Sequence, residues 1–252
     1  MIAATAPADT TLSGDLERVA AARAFFAHRS VGADLIDGVA RLVARTPGAA
    51  LSIAEVETAL PDHALGHALL CDNGDPLSKL ADLERMLAGG IGRSARIVLF
   101  KLCYADFRAG TDATQVFHAY TRTMRGIRSA YPHLALLHLT VPLVAVPSGS
   151  GPRATARALF GRTPSALVEN DRREEFNELL RRTYAGREPI FDLAAFESTL
   201  PTGERVRHDL HGRAVAALAP AYTDDGGHLN VMARVAIAER LIAAIARLGD
   251  PS

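Results

Sequence analysis

"DLERVAAARAFFAHRSVGADLIDGVARLV", residues 15 to 43, decides the fold, because it has two readings. Apolar residues recur through it at nearly continuous helical spacing, and periodicity alone does not choose between one long helix and a helix broken by a strand. With "RAFFAH" (23 to 28) as a strand, Ser30 falls at its carboxyl end, and Val31, Leu35, Val39 and Leu42 become the apolar stripe of the next helix. The rest of the chain favours the broken reading. Short apolar runs alternate with longer segments of helical period, the pattern of a parallel α/β sheet. "ALSIAEV" (50 to 56), "RIVLFKL" (96 to 102), "LALLHLTVPL" (134 to 143) and "PIFDLA" (189 to 194) are the other strand candidates, so a sheet of about five strands is expected. Val116, Tyr120, Met124 and Ile127 mark a helix. Asn230 is placed to cap a terminal helix carrying Val235, Ala238, Leu241, Ile242, Ile245 and Leu248 on one face. "VPSGSGPRATARALFGRTPS" (146 to 165) reads as a long loop.

Composition narrows the function classes. With 252 residues, 48% of them apolar, the chain can bury one large core. We divide it into an N-terminal segment, 1–20, and a single domain, 21–252. Net charge is zero and the 28 basic residues are scattered, which removes the electrostatic footprint of a nucleic-acid binder and points to a small or neutral partner. No apolar run approaches the roughly 20 residues of a membrane span. The opening "MIAATAPADTTLSGDLERV" lacks the basic and apolar regions of a signal peptide, so the chain reads as soluble, either cytoplasmic or exported with a signal already removed. Cys71 and Cys103 are too few for a disulfide framework and are expected as buried thiols.

The chemistry concentrates in "YTDDGGHLN", residues 222 to 230. Two glycines after Asp225 favour a tight reversal, which brings its ends within about 7 Å between Cα atoms, so that Asp225 can meet the His228 ring. An imidazole acting as general base needs one nitrogen free for the proton and the other held by an acceptor, and Asp-x-x-His supplies both locally. Asp224 is one step out of phase and reads as a solvated turn residue. The base needs a nucleophile, and Ser30, exposed between a strand and a helix whose N-terminus favours developing negative charge, is the best candidate. The bland readings are ordinary turn chemistry for the first stretch and a routine helix cap for Ser30.

These residues, in this order, resemble the SGNH (GDSL-like) hydrolases, serine esterases and acyl-transfer enzymes. The resemblance implies a flavodoxin-like three-layer α/β/α sandwich. It implies a triad of Ser30, His228 and Asp225, and an oxyanion-binding backbone N–H from Gly74 in "DNGDPLSKL" (72 to 80). "IVLFKLCYAD" (97 to 106) resembles the family's third block, "LTVPL" (139 to 143) a later strand end, and "ENDRREEFNELLRRTY" (169 to 184) with "IFDLAAFES" (190 to 198) the helix and strand that follow. Two departures stand out. The serine lies in His-Arg-Ser instead of Gly-Asp-Ser, and where the third block carries an oxyanion-donating asparagine this chain has Ala105, between Tyr104 and Asp106. Tyr104 or His28 is therefore the expected replacement donor, while His28 and Lys101, each near a strand end, read either as donors or as polar residues of the rim, the rim reading being preferred.

Other constellations carry less. His63, His67 and Cys71 in "DHALGHALLC" recur every four residues and would share a face if helical, a conceivable metal site lacking a fourth ligand. "HDLHG" (208 to 212) reads as a surface connection, and "SGSG" (148 to 151) lacks the context of a phosphate loop. The expectation is a serine ester hydrolase needing no metal or cofactor, cleaving a small-molecule or carbohydrate ester, with a short acyl group such as acetyl favoured. The competing readings are a carbohydrate- or peptide-binding module that kept the fold and lost the chemistry, an O-acyltransferase, and a metal-dependent hydrolase on His63 and His67.

Overall fold

The computed structural model describes residues 12–147 and 163–249. The opening stretch folds as helix, strand, helix: α1 (Leu12–Ala21), β1 (Ala24–His28) and α2 (Val31–Arg45). Every residue of β1 is buried. Its two phenylalanines part to opposite faces, Phe26 into the core under α1 and α2 and Phe25 into the core on the other side. A strand covered on both faces has no polar alternation, which is why its sequence resembles helix.

β2 (Ser52–Glu55) and β3 (Ala64–Leu69) follow, then α3 (Pro76–Met86), which Asp75 caps through the N–H groups of Leu77 and Ser78. After a short α4 (Gly92–Ser94) come β4 (Ile97–Phe100), α5 (Ala113–Ala130) and β5 (Ala135–Leu139). Then α6 (Ser165–Tyr184) leads to β6 (Ile190–Phe191), α7 (Leu193–Ser198) and an antiparallel hairpin of β7 (Arg207–Leu210) and β8 (Arg213–Ala216). The described part closes with α8 (Val231–Gly249), whose first turn Asn230 caps by accepting from the Ala233 N–H.

The main sheet has six parallel strands in the order β2-β3-β1-β4-β5-β6, flanked by helices on both faces, so the expected α/β/α sandwich is present. The strand beyond the expected five is β3. Its stretch, "HALGHALL", is absent from the expected strands and was weighed only at helical spacing. Gly66 pairs with Phe25 of β1, and a Cβ there would stand 3.1 Å from Leu60 and 3.2 Å from Val56, so close packing against the sheet's cover selects the strand. The "HDLHG" stretch is also more than a connection: His211 and Gly212, both at positive φ, turn the β7–β8 hairpin. Leu16 and Val19 of α1 are fully buried against α8, so the core already includes the helical part of the segment set apart as 1–20. The "SGSG" stretch and most of the expected 146–165 loop lie outside the described residues.

From β1 the chain leaves to α2 on one face of the sheet, and from the neighbouring β4 it leaves to α5 on the other. In an open parallel sheet this divergence opens a crevice at the carboxyl ends of the two strands. Ser30 stands at its lip.

Candidate active site

Ser30 joins β1 to α2 with φ 55° and ψ −116°, a conformation that a residue with a Cβ seldom adopts. The strained turn keeps the side chain from capping the helix, and Oγ lies 2.8 Å from His228 Nε2. The helix passes close over β1 because of Gly32: a Cβ there would lie 2.4 Å from the Cβ of His28. This gives the Ser-Val-Gly sequence a steric cause.

His228 arrives from the turn before α8. Gly226, at φ 88°, makes the reversal, and the Asp225 carboxylate organises it. Asp225 Oδ1 accepts from the N–H groups of Gly227 and His228, both at 2.8 Å, and Oδ2 accepts from His228 Nδ1 at 2.7 Å. These backbone donors hold the Asp225 carboxyl well below the usual carboxylate range, with the imidazole adding to the effect. Ser30, His228 and Asp225 therefore form a continuous hydrogen-bonded line. Asp224 is exposed and outside it.

Asp34 of α2 fixes the histidine turn from below and was not singled out from sequence. It accepts from the Leu229 N–H at 3.0 Å and pairs with Arg234 of α8 at 2.9 Å. A legible signal existed, a carboxylate one position before Leu35 in the stripe that α2 buries.

β1 lies between β3 and β4, so the loops after those strands flank Ser30. After β4, Tyr104, its phenol side chain part-buried, sets its ring edge-on to His228 with centroids 5.9 Å apart. Burial pushes that phenol above its usual range, so it remains a hydrogen-bond donor. Asp106 faces inward and is fully enclosed. It accepts from the Cys103 N–H at 2.7 Å, from the Gly74 N–H at 2.8 Å, and on both oxygens from Lys79 Nζ at 2.8 Å.

Three expectations need correction. The Gly74 N–H is already engaged by Asp106 and does not point at an incoming carbonyl. His28 is 1% exposed, its Nε2 against His67 Nδ1 at 3.2 Å under Gly32, and burial with Lys101 nearby lowers it to about 3, so it is a neutral core residue instead of a donor at the site. Lys101, expected at the rim, is also buried.

Of the set considered for metal, His63 sits in an exposed turn, His67 lies within β3, and Cys71 follows it. Among the described residues no three His, Cys, Asp or Glu side chains are grouped to hold a metal ion. Cys103 is buried as expected, Cys71 is only partly so, and both are free thiols. No helix of the described residues is long and apolar enough to cross a membrane.

No family model and no curated protein matches the chain. Solved structures do. A GDSL-like lipase from Bacteroides thetaiotaomicron aligns with TM-score 0.52 and 11% identity over 94% of this chain and 98% of that one. An inferred acylhydrolase from Bacteroides fragilis aligns with TM-score 0.51 and 14% identity, over 90% and 87%. An inferred platelet activating factor from Streptococcus pneumonia aligns with TM-score 0.54 and 11% identity, over 93% and 91%. At such identities the likeness establishes the architecture, an SGNH-like three-layer sandwich.

Proposed function

We propose that the protein is a serine ester hydrolase in which Ser30 is the nucleophile, His228 the general base and Asp225 the group that orients and stabilises the imidazolium. The observation that carries this reading is the unbroken line from Ser30 Oγ through His228 to Asp225, with contacts of 2.8 and 2.7 Å. Ser30 Oγ attacks the ester carbonyl while His228 Nε2 takes its proton, and the same proton then goes to the leaving alcohol oxygen. Water, activated by His228, releases the acyl group. Ser30 stands at the N-cap position just before α2, and its N–H is the nearest backbone donor for the tetrahedral oxygen. Tyr104 donates beside it.

The same line of contacts favours an enzyme over a binding module, since a module has no use for a serine held at positive φ against an imidazole. The preferred substrate is a short acyl ester, such as an acetyl group on a carbohydrate. The test is hydrolysis of p-nitrophenyl acetate by wild type and Ser30→Ala. Loss of nearly all turnover in the variant is expected, and equal rates would remove Ser30 as nucleophile, with Ser78 or Ser148 the next to substitute.

A further inference from the structure

Acyl transfer through Ser30 leaves one requirement unmet by the groups described so far. When Ser30 Oγ bonds to the acyl carbon and its proton moves to His228, the carbonyl electron pair shifts onto oxygen, and the resulting anion needs donors on more than one side. The Ser30 N–H approaches from α2 and Tyr104 from the loop after β4. The loop after β3 lies on the other side of β1 from the loop after β4, and there the Gly74 N–H is taken by Asp106.

Asn73 is the neighbouring residue in that loop and the only side-chain amide in it. The loop is tied to the base of Ser30: Leu70 N–H donates to His28 O at 2.9 Å, Arg29 donates to Leu70 O at 3.2 Å, and Arg29 also pairs with Asp72. Asn73 Oδ1 accepts from Lys79 Nζ at 2.7 Å. Lys79 has only donors to offer, so the amide's orientation is fixed chemically, its oxygen toward Lys79 and its Nδ2 turned away from it. Lys79 is itself held fast, wholly buried with its remaining donors on the two Asp106 oxygens. Asn73 is solvent-exposed, and its Nδ2 donates to no group among the described residues. The Lys79–Asp106 pair also brings this amide beside the Tyr104–Asp106 turn, where Ala105 offers no side-chain donor.

We propose that Asn73 is a catalytic oxyanion donor, its Nδ2 serving the negative oxygen of the tetrahedral intermediate, and that Lys79 is the positioning residue that aims it. The inference rests on Ser30 being the nucleophile. The amide transfers no proton; it donates a hydrogen bond that strengthens as charge develops.

The experiment compares wild type, Ser30→Ala, Asn73→Ala and Asn73→Asp on p-nitrophenyl acetate, with thermal melting to check that each variant folds. Both Asn73 variants should lower kcat by about 10²–10³ with little change in KM. A trifluoromethyl ketone, whose adduct with Ser30 carries the same negative oxygen, should lose affinity for the Asn73 variants by a similar factor, a change that mere loosening of an exposed loop does not produce. If both variants keep kcat within threefold while Ser30→Ala is inactive, Asn73 is no donor and the serine esterase reading stands. A fall in kcat with unchanged ketone affinity also overturns the donor role. Equal activity in Ser30→Ala and wild type overturns both readings together.

Discussion

Asp225 and Asp224 are adjacent, carry the same charge and sit in the same turn, yet they should behave differently. Asp225→Asn preserves the volume, but an amide in place of the carboxylate loses the charge opposite His228 and can select the wrong ring tautomer, so kcat should fall by about 10²–10⁴. Asp224→Asn should be nearly silent, since its side chain is solvated. Steady-state kinetics of the two variants checks this, and harmless Asp225→Asn would reduce the stretch to a turn. The path of the proton gives a companion expectation. Asp225, held ionised by its backbone donors, should impose no titration of its own on turnover near neutrality, which a pH–rate profile checks. At position 32 an added Cβ would meet the His28 side chain at 2.4 Å, which leaves no room for it, and Gly32→Ala should destabilise by about 1–3 kcal/mol in chemical denaturation.

Among the elements, α3 is joined to the turn after β4 by a salt bridge, Lys79 to Asp106, in which both partners are fully enclosed. Lys79→Met would leave Asp106 charged, buried and without its cation, an expected loss of about 3–5 kcal/mol readable as a lower denaturation midpoint. That bridge also shows where sequence reading stopped. Ser30, Asp225 and His228 were legible because two of them are three residues apart and the third stands at a strand end ahead of a patterned helix. Lys79 and Asp106 are 27 residues apart with nothing in their local patterns to join them. β3 was missed for the converse reason: "ALGHAL", mostly buried between layers, offers neither polar alternation nor β-branched residues, and His63 and His67 invited a helical spacing that the sheet does not have. The terminal helix was fully legible, since its apolar face follows one period from Val235 to Leu248 and its cap precedes it.

For the molecule as a whole, the end of the sheet that carries Ser30 also buries titratable groups with no catalytic assignment. Glu197 of α7 is buried, accepts from the Leu143 N–H, and has its second oxygen unpartnered among the described residues. Burial pushes its carboxyl up to about 8, with the Leu143 N–H and Lys101 only partly opposing the rise. A carboxyl raised in the fold binds its proton more tightly there than in the unfolded chain. Its contribution to stability is therefore complete below about pH 4.5 and is lost as pH rises through about 8. Glu197→Gln, neutral at every pH, should raise the melting temperature relative to wild type most clearly above pH 8. A difference independent of pH would mean that Glu197 does not titrate in the fold.

The contact between Ser30 and His228 spans 198 positions of sequence. Its consequence concerns time. The histidine turn is held by α8, which packs on α1 and α2, so those two early helices wait for the late one before Ser30 meets His228. Fluorescence or circular dichroism should report recovery of the sheet during refolding before ester hydrolysis returns, the lag being the docking of α8. A ribosome-bound chain would likewise lack the Ser30–His228 contact until α8 has emerged.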